Sequence, residues 1–135
     1  MLGEKLGEEH GQMTALRVLP PGPHGPRVEV SFQANGSVLG LTAMDVGTYV
    51  STARPDGTMF GEGQGVLMTT DGDTATWTGY GHGKFTGTGT AVNWRGALFY
   101  QSMAPRLAQL CNSAIVFEFD VDENGKVAAS VWEWK

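Results

Sequence analysis

A carboxylate, a phenol and an imidazole fall between glycines at Glu62, Tyr80 and His82, in Gly61-Glu62-Gly63-Gln64-Gly65 and Gly79-Tyr80-Gly81-His82-Gly83. Glu62 with His82 would make a proton-transfer pair, and the Tyr80 hydroxyl could donate to an oxyanion, so these three are the candidate acid-base residues. Whether they meet depends on register. If Thr70-Asp71-Gly72 forms a three-residue hairpin loop with a glycine bulge, Glu62 stands opposite Tyr80, with His82 and Thr78 diagonal to it. A two-residue Asp71-Gly72 turn would flip the parity, laying Tyr80 over Gly63 and His82 over Gly61. The longer loop is favoured by analogy with Pro55-Asp56-Gly57, whose proline suits that form.

Glycine at every second position puts the missing side chains on one face of a strand, and two such combs in succession describe neighbouring strands of a tightly bent sheet. Repetition in register implies strong curvature, close backbone approach or a cavity left open. In the favoured register Met59, Gly61, Gly63, Gly65, Leu67, Ala75, Trp77, Gly79 and Gly81 share one apolar face, which therefore turns inward. Met59, Leu67 and Trp77, joined by Trp94, Leu98 and Tyr100, are the candidate ligand-lining residues, with ordinary core packing as the alternative role. Glu62, Tyr80 and His82 would then lie outside or in a subunit interface, where a surface network is the commoner arrangement.

The chain of 135 residues is expected to be one domain. Its formal charge of −5 and the absence of a basic cluster argue against nucleic acid as a partner. No apolar run approaches the ~20 residues of a membrane helix, so no membrane partner is expected. His10, His24 and His82 show no paired spacing, so no metal site is expected. No Gly-x-Gly-x-x-Gly or Gly-Lys-Ser/Thr occurs, so no nucleotide loop and no cofactor are expected. The single cysteine, Cys111, reads as a small core residue, and with a start lacking a signal-peptide run it points to the cytoplasm.

Along the chain, Leu2 to Glu9 and Gln12 to Leu19 are strand candidates, followed by a mobile loop over Pro20-Pro21-Gly22-Pro23-His24-Gly25-Pro26. Arg27 to Ala34 alternates cleanly as a strand. Asn35-Gly36 reads as a turn rather than a glycosylation site, leading into Ser37 to Ala53, which bends at Gly47 or divides in two. Met59 to Thr70, Asp73 to Gly83, Lys84 to Val92 and Trp94 to Ser102 continue a meander. Pro105 to Asn112 is a helical turn that plugs one end, and Ser113 to Val121 and Val127 to Trp134 complete the sheet. The expected fold is all-β, a closed antiparallel up-and-down barrel of about eight strands with one short helical turn.

Gly61-Glu62-Gly63-Gln64-Gly65, Asp71-Gly72, Trp77-Thr78-Gly79-Tyr80-Gly81, Arg95-Gly96-Ala97-Leu98, Leu107-Ala108-Gln109-Leu110 and the ending from Phe117-Glu118 to Trp132-Glu133-Trp134-Lys135 resemble a family of uncharacterised prokaryotic proteins. That family in turn resembles the calycin-like barrel of allene oxide cyclases and dirigent proteins, in architecture and glycine pattern only. No cyclase catalytic residue maps onto a numbered position. Three functions are then weighed: a binder of a small, largely apolar molecule, a cyclase or isomerase that folds a flexible substrate, and an oligomeric scaffold with a filled core. A filled core would leave no cavity larger than a water or two. Trp132 and Trp134 share an outer face if Glu123-Asn124-Gly125 is a three-residue loop, and covering them implies a homodimer.

Overall fold

The computed structural model describes all 135 residues, Met1–Lys135. Eight strands run antiparallel, each beside its neighbour in sequence, and the first pairs with the last to close a barrel. They are β1 (Leu2–Gly22), β2 (Gly25–Val38), β3 (Leu41–Ala53), β4 (Met59–Thr69), β5 (Thr74–Phe85), β6 (Val92–Gln101), β7 (Ala114–Val121) and β8 (Lys126–Trp134). No helix is long and apolar enough to cross a membrane.

Three hairpins use the same chemistry. Pairs at Arg54 and Thr58, Thr69 and Asp73, and Asp122 and Lys126 flank three-residue loops that end at Gly57, Gly72 and Gly125. Each of these glycines has positive φ, at 85°, 92° and 80°, the conformation a glycine bulge requires. The register expected from sequence follows: Glu62 pairs with Tyr80, Gly63 with Gly79 and Gly65 with Trp77. On β7 and β8, Phe117 pairs with Val131 and Phe119 with Ala129, so Trp132 and Trp134 are left on the outer face, with Trp134 53% exposed.

Elsewhere the structure corrects the sequence reading. Leu2 to Gly22 is one long strand, and the prolines do not form a mobile loop: only Pro23 and His24 turn between β1 and β2, where Gly22 pairs with Gly25. Pairing of β1 to β8 stops at Gln12 and Lys126, so Pro20 and Pro21 lie where that side of β1 has no partner to receive an N–H. Asn35-Gly36 is not a turn. Both residues are paired within β2, and the reversal comes later at Leu39-Gly40, each with positive φ as a two-residue type I′ loop demands. Lys84 and Phe85 complete β5, so the separate strand expected over Lys84 to Val92 does not exist.

Between β6 and β7 a 3-10 turn, Pro105–Leu107, runs into α1 (Ala108–Cys111). Leu107 and Leu110 are fully buried against the barrel core, while Cys111 is only partly buried beside it. Arg106 ties this segment to the β4–β5 hairpin through Asp73 at 2.8 Å and Asp71 at 3.1 Å. These pairs are exposed, so they orient the segment more than they stabilise it.

Candidate functional site

The glycine combs face inward, but their space is not left empty. A Cβ on Gly61 would stand 2.6 Å from the Trp94 ring, and one on Gly83 would stand 2.9 Å from it. On Gly47 it would meet Phe32 and Trp77 at 2.7 Å, and on Gly65 it would overlap the Trp77 indole. Gly47, Gly61, Gly65 and Gly83 therefore form troughs in which two indoles lie, while Gly61, Gly63, Gly79 and Gly81 also border the cavity that remains.

A cavity of about 80 Å³ remains between the rings. Phe32, Tyr49, Trp77, Trp94, Phe117 and Phe119 are among the residues that line it. Phe32 meets Phe119 edge-on with centroids 4.8 Å apart, and Tyr49 meets Trp94 at 5.5 Å, so the walls brace one another. One water needs roughly 10–15 Å³ measured in this way, so the space exceeds what a filled core would leave.

Two acids reach this apolar interior. After a bulge at Lys5 to Gly7, β1 continues in regular register, which turns Gly7, Glu9 and Gly11 inward. Glu9 stands opposite Gly36, and Asp45 on β3 stands opposite Ala34, so only these two small residues of β2 lie between the acids. Glu9 is 8% and Asp45 6% exposed. The Trp77 indole Nε1–H donates to Asp45 Oδ1 at 2.8 Å. No N–H or hydroxyl of the chain reaches Glu9 Oε2, and Trp94 Nε1–H on the same cavity also lacks a partner.

Burial, then the neighbouring Asp45 charge and a hydrogen bond to it, push the Glu9 carboxyl up to about 9. Burial also raises Asp45, opposed by the Trp77 and Glu9 hydrogen bonds that favour its ionised form. At neutral pH Glu9 thus holds a proton and Asp45 is the more acidic partner. Tyr100 is pushed well above its usual range by burial and by both acids, and burial takes Tyr49 to about 12, so both phenols stay neutral. The cavity therefore offers the protonated Glu9 carboxyl, the Asp45 carboxyl group, phenols and an indole N–H beside aromatic rings.

The tie from Trp77 to Asp45 can be tested directly. Trp77→Phe keeps a ring in the trough but removes the donor, and a hydrogen bond to a charged group is worth about 1.5–3 kcal/mol. The variant is expected to lose about that much stability in urea at neutral pH, and the loss should shrink on acidification as Asp45 protonates. An unchanged midpoint would show that the bond contributes nothing.

Of the residues singled out in the sequence, Trp77, Trp94, Leu98 and Tyr100 line the cavity, and Glu62 and Tyr80 of the acid-base candidates also border it, whereas His82 does not. Met59 and Leu67 are also buried but lie outside its wall, Met59 accepting from Ser51 Oγ at 3.1 Å. Glu62 and Tyr80 pair across β4 and β5, and His82 pairs with Phe60. By strand alternation their side chains point outward. They form no ion pair or side-chain hydrogen bond with one another, and Tyr80 instead stacks on Phe60 at 6.4 Å. Neither Glu9 nor Asp45 was among the sequence candidates.

No family model matches the chain, and no curated protein matches it in sequence. Solved structures do match over nearly the whole length. A protein with unknown function from Clostridium acetobutylicum superimposes with TM-score 0.83 at 12% identity, covering 98% of this chain and 97% of its own. A conserved protein of unknown function from Rhodopseudomonas palustris gives 0.81 at 12% identity, over 98% and 97%. A beta-barrel like protein from Acinetobacter baumannii gives 0.81 at 13% identity, over 100% and 96%. The chain thus shares the fold of a class of small, closed β-barrel proteins of unknown function. At these identities the likeness is one of fold.

Proposed function

We propose that the barrel binds a small, largely apolar molecule in its interior, with the polar group of that molecule turned to Glu9 and Asp45. The observation that carries this reading is the 80 Å³ cavity, walled by aromatic rings and bearing two buried acids. A cavity of about 150 Å³ takes benzene, so this one suits roughly three or four non-hydrogen atoms without rearrangement. At the ceiling of about 1.5 kcal/mol per atom, the best such ligand binds with about −6 kcal/mol, in the tens of micromolar. Binding screens therefore belong in the micromolar to millimolar range. Fragments of that size should perturb the indole resonances of Trp77 and Trp94 and saturate, and a complete absence of saturation would remove the reading.

A second reading, a cyclase or isomerase like those of the allene oxide cyclase barrels, is favoured by one feature. Protonated Glu9 beside Asp45, whose ionised form the Trp77 and Glu9 hydrogen bonds favour, sets an acid next to a candidate base, the pairing that proton transfer requires. A binder returns its ligand unchanged, whereas such an enzyme yields an isomer of identical mass.

The outer surface carries a separate proposal. Trp134 is half exposed beside Leu2, and Trp132 is partly covered, with the Lys5 ammonium 5.8 Å from its ring centre. Burying this strip between two copies would remove several hundred Å² at about 25 cal/mol per Å², enough to favour a symmetric dimer. Sedimentation at micromolar concentration is expected to give a homodimer that Trp134→Lys dissociates. A monomeric parent would refute it.

A further inference from the structure

The barrel interior has a charge imbalance. Glu9 and Asp45 both line the cavity, and not one of its wall residues is Lys, Arg or His. Seen from the elements packed against the pair, β3 contributes Tyr49, β6 contributes Tyr100, β4 and β5 border the cavity with the exposed Glu62 and Tyr80, and β2 presents only Phe32, Ala34 and Gly36 nearby. On β8 the next acid along the inner face, Glu133, lies outside the cavity wall and accepts from Ser113 Oγ at 3.2 Å. The only donors the chain directs at the site are neutral, and Glu9 Oε2 receives none of them. A buried carboxylate without a countercharge is costly, and the pair relieves that cost by keeping a proton. A ligand that brings its own positive charge would relieve it better. The walls suit such a ligand, because the faces of Trp, Tyr and Phe attract an ammonium group, most strongly where water is excluded.

We propose that the cavity takes a small organic cation, an alkylammonium ion of about four non-hydrogen atoms, with its N–H groups on Glu9 and Asp45 and its alkyl part against the aromatic wall. The proposal rests on the interior-binding reading and narrows it to one chemical class. It accounts for two buried acids in a site where a neutral apolar ligand would need neither. It also fixes a pH dependence: protons and the cation compete for the same carboxylates, so binding weakens as pH falls.

The test uses the full chain and two probes of nearly equal shape, isopropylammonium and 2-propanol, followed through the Trp77 and Trp94 indole N–H resonances. The ammonium ion is expected to bind at least tenfold more tightly than the alcohol, and to lose affinity between about pH 8 and about pH 5 while the alcohol does not. Asp45→Asn should abolish the preference. If that variant fails to fold, the pH series on the parent decides alone. An alcohol that binds as tightly as the amine, or an amine affinity independent of pH, overturns the cation proposal and leaves interior binding standing. Saturation by neither probe overturns both.

Discussion

Glu9→Gln is expected to stabilise the barrel at neutral pH. Glu9 ionises near its ordinary 4.5 in the unfolded chain but is raised to about 9 in the fold. The folded chain therefore keeps a proton that the unfolded chain has lost. The associated stability is fully present below about pH 4.5 and declines as pH climbs toward 9. At about pH 7.5 the gap corresponds to at most ~4 kcal/mol, and the coupling to Asp45 makes about 2–4 kcal/mol the reasonable expectation. Glutamine has the shape of the protonated acid and can still donate to Asp45, so it removes the penalty without removing the contact. Denaturation in urea across this range should show a gain that grows from about pH 5 to about pH 8. A pH-independent difference, or a loss at every pH, would mean that Glu9 is not held protonated.

The second large effect lies in the glycine troughs. Gly65→Val places branched carbons where the Trp77 indole already lies, and Trp77 is fixed on its other sides by Asp45 at 2.8 Å and by stacking on Phe32 at 6.3 Å. Overpacking of this kind costs about 1–3 kcal/mol and sometimes more, against at most ~1 kcal/mol returned by better β-propensity. The expected loss is about 3 kcal/mol or greater, or failure to fold. Gly63→Val meets the Thr48 carbonyl at 2.6 Å and Tyr49 Cβ at 2.7 Å, so it should destabilise in the same direction. A cycle with the milder Gly65→Ala and Trp77→Phe separates the causes: a smaller ring should recover about 1 kcal/mol of the alanine's cost. A Gly65→Val barrel as stable as its parent would contradict the packing argument.

Much of this frame is visible in the residues. The glycine combs on β4 and β5 alternate without interruption, and glycine closes each three-residue loop, so period and turn chemistry agree on which face turns inward. Trp77, Trp94 and Tyr100 follow from that parity. The acids do not follow so directly. Glu9 sits in a strand whose parity is reset by a bulge between Lys5 and Gly7, a feature set by pairing to β8 and not by local composition. The signal present is Gly7-Glu8-Glu9-His10-Gly11, two inward glycines bracketing an inward acid, a sparser version of the combs. Asp45 is more legible: Leu41, Ala43, Asp45, Gly47 and Tyr49 alternate once the turn is placed at Leu39-Gly40, and an acid on that face stands out. Reading Asn35-Gly36 as the turn hides it. The prolines mislead for a related reason, since the length of β1 that lacks a partner on its β8 side emerges only from the closed sheet.

The four tryptophans offer the most direct test of the interior site, because two are inside the barrel and two are outside. Indole N–H resonances of the full chain would be followed during titration with a panel of alcohols, amines and amides of about three or four non-hydrogen atoms. At least one probe should move Trp77 and Trp94 in a saturable manner while Trp132 and Trp134 stay in place. Shifts confined to Trp132 and Trp134, or no saturable shift at Trp77 and Trp94 with any probe, would contradict a ligand site within the barrel.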